Sequence, residues 1–135
     1  MNRRDAVFPP QRHALYERHR YSPAVRADHL MFVAGQVGSR PDGSPEPTLE
    51  AQVRRAFANL DAILQAAGCS FDDVVDATIL MVDPEKNFET AWEVAHEFWG
   101  EAPYPPATAI GVTWLAGFLF EIKVVVKLPE AARAA

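Results

Sequence analysis

The sequence is poor in cysteine and has no long run of apolar or of basic residues. Its single cysteine, Cys69, excludes an internal disulfide and a cysteine-based metal cluster. No apolar stretch is long enough to form a transmembrane helix, and none follows Arg3-Arg4 as a signal sequence would require. We therefore expect a cytoplasmic protein without a membrane segment.

The charge is unfavourable for broad binding to anionic partners. The formal net charge is −5, which argues against nucleic acid as a partner. His13, His19 and His29 lack the spacing that metal ligands need. We expect neither a metal nor another cofactor.

The composition that remains fits one folded domain. The chain has 135 residues, of which 49% are hydrophobic and 23% charged, which is typical of a soluble protein with a core. Prolines cluster at positions 9–10, 41–47 and 103–106, where we predict loops rather than interdomain linkers. We expect a single domain over residues 1–135.

Two segments have the periodicity of amphipathic helices. From Thr48 to Ala67, apolar residues recur at spacings of three and four, and Gly68 follows as a stop signal. Asp83-Pro84 marks the start of a second helix. We predict that its apolar stripe consists of Phe88, Trp92, Ala95 and Trp99.

Apolar and β-branched runs predict the strands. They are Leu30 to Ala34, with a hairpin partner within His19 to Arg26, then Val74 to Val82, Thr108 to Trp114 and Leu119 to Leu128. This order of elements favours an α+β fold, in which one mixed sheet carries two helices on one face. The other face is too apolar, at Leu119 and Val125, to be plainly solvated. Self-association would cover it.

Glu121 interrupts the most apolar of these strands. Its neighbours Phe120 and Ile122 are predicted to point toward the helices, so Glu121 points to the opposite face. A carboxylate buried there without a partner would cost several kcal/mol. Glu121 therefore either belongs to a site, which we favour, or is a solvated or salt-bridged residue, with Lys123 or a neighbour's arginine as partner.

Several short motifs, in a fixed order, resemble one known family. They are Tyr21, Leu30 to Val37, Gln52 to Leu60, Ala66 to Val75, Pro105-Pro106 and Phe120-Glu121-Ile122. From Tyr21 to Leu128 the chain resembles the Rid family, the reactive-intermediate deaminases also called YjgF-like or L-PSP proteins. The segment Thr113 to Phe118 resembles its YjgH-like branch.

The resemblance implies a fold, an assembly and an activity. The fold is the chorismate-mutase-like α+β fold, and the assembly is a homotrimer with small-molecule sites in clefts between subunits. Active members hydrolyse enamine and imine products of pyridoxal-phosphate enzymes, such as 2-aminoacrylate, to keto acids and ammonia.

The resemblance also implies roles for individual residues. Glu121 matches the glutamate that positions the attacking water, and Tyr21 matches a tyrosine lining the pocket. In the family an arginine binds the substrate carboxylate, and the corresponding position of this sequence is Ala107. We therefore expect weak or altered deaminase activity. The family's serine before Gly35 corresponds to Ala34 and its helical asparagine corresponds to Trp92, so we expect Ala34, Gly35 and Trp92 to line the substrate site.

Other readings stay open at this stage. Thr108 either offers a hydroxyl to a ligand or has a structural role. Trp92 and His96 either stack against a ligand, or are a core tryptophan and a partly exposed histidine. Arg20 or Arg26 either supplies to the cleft the cation that Ala107 lacks, or is an ordinary surface charge. The alternative function is non-catalytic binding or sensing of a metabolite. An endoribonuclease, a label of some relatives, fits the acidic charge less well.

Overall fold

A computed structural model describes residues 3–133 and contains one seven-stranded mixed sheet. The strands are β1 (Asp5–Val7), β2 (Ala24–Ala27), β3 (Leu30–Val33), β4 (Gln36–Val37), β5 (Val74–Val82), β6 (Ala107–Val112) and β7 (Phe120–Lys127). The helices are α1 (Leu15–His19), α2 (Leu49–Ala66) and α3 (Pro84–Ala95). The order across the sheet is β1-β2-β3-β7-β5-β6, with β4 also paired to β7, and β5 and β6 run parallel. The predicted α+β fold is confirmed.

Helix α2 begins and ends where its sequence signals place it. Thr48 is the N-cap, and its hydroxyl accepts a hydrogen bond from the Ala51 backbone N–H at 3.1 Å. The predicted stripe is buried, with Phe57 fully enclosed at its centre. Phe57 stacks on Phe98 with ring centroids 4.7 Å apart. This stripe covers one face of the sheet and forms most of the core.

The stripe predicted for α3 is wrong in part. The residues that α3 buries are Asn87, Ala91, Val94 and Ala95, whereas Phe88 remains 38% exposed. Small side chains on the buried face let α3 approach the core closely, and Asn87 fits there because its amide donates to the Val82 carbonyl at 2.8 Å. Phe88 instead stacks on half-buried Trp92 along the flank of the helix.

Strand β7 alternates as predicted and separates the two faces of the sheet. The residues on its helix-covered face are buried, and they are Phe120, Ile122, Val124 and Val126. Glu121 and Lys123 therefore lie on the other face. Register partners across a sheet share a face, so Val37 and Leu80, both opposite Glu121, lie on that face too.

A one-residue irregularity lies beside Glu121, at Ala34-Gly35. Phe32 is opposite Val125 and Gln36 is opposite Ile122, so one strand advances four residues while β7 advances three. The extra residue is the mark of a β-bulge, and bulges redirect side chains where they occur. The bulge lies between β3 and β4, directly beside the side chain of Glu121.

Polar side chains of α2 fix the loops around this bulge. The Gln52 amide oxygen accepts a hydrogen bond from the Leu119 backbone N–H at 2.8 Å, just before β7. The Asn59 amide donates to the carbonyls of Val37 and Ser39, at 3.1 and 3.0 Å. Buried groups that have partners hold their segments in one geometry. Helix α2 thus positions both β4 and the start of β7.

Candidate functional site

Glu121 lines a small cavity on the sheet face opposite α2 and α3. The cavity has a volume of about 320 Å³, at the lower end of the range for small-molecule sites. Its walls come from α1, from Tyr21, from the bulge at Gly35, and from the loops around Gly43 and Leu115. Glu121 is half-buried within it.

A second, small hydrophobic cluster builds the walls of this cavity. Leu15 of α1 packs with Val37 and with Phe118, and all three side chains are buried. Half-buried Tyr21 and Leu115 pack against them. This cluster explains why α1 and the segment before β7 lie over the sheet at this point.

Gly35 leaves the space that the Glu121 carboxylate occupies. A Cβ atom added to Gly35 would collide with the Glu121 side chain, including its Oε2 and Cδ atoms and, at 2.9 Å, its Cγ atom. Glycine is therefore required here for close approach of a side chain. The bulge and its glycine together place the carboxylate against the backbone of the neighbouring strand.

The electrostatics of the cavity favour protonated groups. Burial raises the pKa of the Glu121 carboxyl because a charge is penalised where water is excluded. Burial also raises the pKa of Tyr21, and the charge of Glu121 adds to that increase. The Tyr21 phenol is therefore a hydrogen-bond donor at neutral pH, near a carboxyl that keeps its proton to a higher pH than an exposed one.

The salt-bridge reading of Glu121 finds no support within the chain. Among residues 3–133, no lysine, arginine or histidine nitrogen lies within 4.0 Å of its carboxylate. Lys123, on the same face, is exposed. A half-buried carboxylate with no cation in contact is typical of a site rather than of a structural ion pair.

The structure brings only some of the predicted site residues together. Tyr21, Gly35 and Glu121 line one cavity. Ala34 lies beside them in the bulge, where its backbone N–H donates to the Pro23 carbonyl at 2.8 Å. Its carbonyl accepts from the Gln36 amide at 2.9 Å, so its observed contacts are backbone ones.

Trp92, Ala107 and Thr108 do not reach this cavity within the chain. Trp92 is on α3, on the other side of the sheet. Ala107 is paired with the core residue Ala77 and shares its face, whereas Thr108 shares the Glu121 face but lies two strands, about 10 Å, away. Ala107 and Thr108 are exposed.

Neither arginine suggested by the sequence as a replacement cation lines the Glu121 cavity. Arg26 forms an ion pair with Asp5, at 3.0 Å between Nε and Oδ2. Arg20 lines a wider cleft of about 1260 Å³, together with Arg12 and His13. Tyr21 lines both spaces.

Sequence reasoning missed the arginine that does line the cavity. Arg18 lies on α1, and its guanidinium donates to the Asp42 carbonyl at 3.0 Å. Helix α1 has five residues, too few for a periodic signal. His19 and Trp114 were also missed as lining residues, and Trp114 is 74% exposed at the rim.

Within residues 3–133, no three side chains of histidine, cysteine, aspartate or glutamate converge as metal ligands would. Over the same residues, each helix is too short or too polar to cross a bilayer.

Comparisons with known proteins agree with this fold. A family model described as endoribonuclease L-PSP matches residues 11–128. The chain is 58% identical over 130 residues to the RutC family protein YjgH of Escherichia coli (strain K12), covering 96% of this chain and 99% of that protein. It is 32% identical over 108 residues to the 2-iminobutanoate/2-iminopropanoate deaminase of Homo sapiens, covering 78% and 77% of the two chains. A solved structure of a protein YJGH superposes with a TM-score of 0.90 at 57% identity, covering 96% of this chain and 99% of that one. The chain therefore belongs to the endoribonuclease L-PSP family, the Rid or YjgF-like proteins.

Proposed function

We propose that this protein hydrolyses imine or enamine metabolites, with Glu121 as the acid–base group. One observation carries the proposal: a half-buried carboxyl of raised pKa faces a small cavity and has no cation in contact. The human relative whose name specifies 2-iminobutanoate and 2-iminopropanoate supports this reaction class. Tyr21 supplies a hydroxyl that is protonated at neutral pH, because burial raises its pKa.

The proposed reaction needs one proton acceptor that later acts as a donor. A water oxygen attacks the imine carbon, and the Glu121 carboxylate takes one proton from that water as the C–O bond forms. The C=N bond becomes a single bond, and Glu121 returns the proton to nitrogen. The hydroxyl proton of this carbinolamine then passes to nitrogen through Glu121, and ammonia leaves as the C=O bond forms. Water and imine are converted to ketone and ammonia, and a group of raised pKa suits both proton transfers near neutral pH.

We expect turnover of 2-iminopropanoate to be measurable but slow. Ala107 and Thr108 carry no charge, so the bidentate contact that the resemblance places at Ala107 is lost at that position, and a cation elsewhere in the cavity would hold the carboxylate in a different geometry. A charge-assisted contact of this kind contributes on the order of 1.5–3 kcal/mol, or roughly ten- to a hundredfold in rate. A dehydratase that generates 2-aminoacrylate provides the assay, with pyruvate release followed with and without the protein. The human deaminase is the comparator.

The outcomes of this assay separate the candidate functions. Acceleration above the uncatalysed rate supports the hydrolase. No acceleration, together with a rise in melting temperature on adding a neutral aromatic metabolite, supports metabolite binding without catalysis. The observation that favours this second candidate is the apolar lining of the cavity, including Leu115, Phe118 and the exposed ring of Trp114.

We also propose that the protein is a homotrimer whose subunits cover the open face of the sheet. Every residue of β6 except the last is exposed, although the strand is mostly apolar. On the same face as Glu121, the side chains of Phe32 and Ile110 are 46% and 45% exposed. An uncovered apolar sheet face of this kind is a natural subunit interface. In such an assembly, Ala107 and Thr108 of one subunit would border a cleft of the next.

Light scattering tests the assembly. We expect a mass about three times that of the 14.9 kDa chain. Ile110→Asp places an unpaired charge on the exposed sheet face and should shift the mass toward one chain. Ala58→Asp, at an exposed position of α2 on the other side of the sheet, is the matched control for adding a negative charge. A monomeric parent protein would remove the basis for a site shared between subunits.

A further inference from the structure

We propose that Arg18 binds the carboxylate of a short-chain 2-oxo or 2-imino acid in the Glu121 cavity. The inference deepens the proposed function of that cavity, and as a statement about binding it is testable apart from turnover. It assigns to α1 a cation that the strand residues Ala107 and Thr108 do not provide.

The loop after Pro41 holds the Arg18 guanidinium at the cavity wall. One guanidinium nitrogen donates to the Asp42 carbonyl at 3.0 Å. Gly43 is buried against the same group, and a Cβ added there would lie 2.8 Å from Nη1. Gly43 also has φ +92°, which favours glycine. A guanidinium has five N–H donors, and the Asp42 carbonyl accepts from one of them.

Arg18 keeps its charge for a ligand. Among residues 3–133, no carboxylate lies within 4.0 Å of its guanidinium, whereas Arg26, Arg54 and Arg55 are each paired with an acidic side chain. A guanidinium with unused donors recognises a carboxylate in a fixed, forked geometry.

The charges of Arg18 and Glu121 are separated within one cavity. Burial raises the pKa of Glu121, and Arg18 is not among the groups that affect it. A cation in contact would lower that pKa instead. The space between them, within about 320 Å³, therefore suits a small ligand with an anionic end at Arg18 and its reacting carbon and nitrogen near Glu121. This polarity suits monocarboxylates.

Pyruvate and its neutral isostere pyruvamide provide matched probes. Calorimetry on the parent protein should detect pyruvate binding, and Arg18→Gln should weaken it by about ten- to a hundredfold, as expected for a lost charge-assisted contact. Binding of pyruvamide should change by less than about threefold, since an amide has no charge to lose. Arg18→Lys retains the charge without the fork and should give an intermediate loss.

Arg20→Gln is the control, because it removes an arginine two residues away that lines the wider cleft and not the Glu121 cavity. We expect it to leave pyruvate binding unchanged. Melting temperatures show whether each variant is folded.

Three results would overturn the inference: no pyruvate binding by the parent protein, unchanged pyruvate binding in Arg18→Gln, or an equal loss in Arg20→Gln. The hydrolase proposal fails separately. If pyruvate binds through Arg18 but no preparation accelerates imine hydrolysis, the binding role of Arg18 stands and the catalytic role of Glu121 does not.

Discussion

Replacing Glu121 with glutamine is expected to lower the rate of imine hydrolysis by about a hundred- to ten-thousandfold, the usual contribution of a positioned acid–base group. Glutamine keeps the shape of the side chain but neither accepts nor returns a proton. Pyruvate binding should persist, because the cavity walls and Arg18 are unchanged. The coupled assay and calorimetry measure the two effects separately. Parent-like turnover by Glu121→Gln would contradict the role proposed for this residue.

The same substitution has an expected effect on stability that depends on pH. Burial raises the pKa of Glu121 in the folded protein, so the folded state holds this proton more tightly than the unfolded chain. As pH rises from the ordinary glutamate pKa through the raised one, the parent protein loses stability, and glutamine does not. We therefore expect Glu121→Gln to melt at a higher temperature than the parent at neutral pH, and at a similar temperature in acid.

A structural ion pair would have the opposite effect. Removal of one partner of a buried pair costs roughly 3–5 kcal/mol and would lower the melting temperature of Glu121→Gln at neutral pH. The direction of the shift thus separates a site carboxylate from a structural one. Lys123→Gln, a neighbouring exposed position on the same face, is the control for a general effect of surface charge.

Replacing Gly35 with alanine is expected to lower turnover by about a hundredfold, the typical result of a displaced catalytic group. The added methyl group would occupy the space of the Glu121 carboxylate. The Glu121 side chain can rotate away, so the melting temperature should fall only slightly. The measurement is the coupled assay together with thermal unfolding.

A double-mutant cycle checks the reason for this loss. Gly35→Ala should have little further effect on turnover in a Glu121→Gln background, because the group it displaces no longer acts. An equal loss in both backgrounds would show that the methyl group acts through the backbone or the cavity wall rather than through Glu121.

The parts of the fold that sequence reasoning predicted are those with long, regular patterns. Helix α2 and strand β7 each repeat one hydrophobic period over eight or more residues, and β5 is a nine-residue strand rich in β-branched and other aliphatic residues. Such patterns leave little choice of element or of buried face. The prediction for α3 failed at Phe88 because large apolar side chains are not always the buried ones. Tertiary packing buries Ala91 and Val94 instead, together with Ala95, which was predicted.

Only the part of the candidate site that contains a charged residue in an apolar strand could be predicted from the residues themselves. A carboxylate in an apolar strand singled out Glu121, and the resemblance added Tyr21. Arg18 could not be found in this way, because its place in the cavity depends on a helix of five residues and on contacts with Asp42 and Gly43. Those contacts are distant in sequence, so no local pattern encodes them. The two faces of β6 were likewise fixed only by its register with β5.

The pH dependence of turnover tests the role of Glu121 most directly. The rate of pyruvate release should be measured across the acidic and neutral range for the parent protein and for Glu121→Gln, with the dehydratase in excess. We predict that the parent rate rises with an inflection above the ordinary glutamate pKa of about 4.3, and that any residual rate of Glu121→Gln lacks this inflection. A parent rate without that inflection, or the same inflection and rate in Glu121→Gln, would contradict the assignment of Glu121 as the acid–base group.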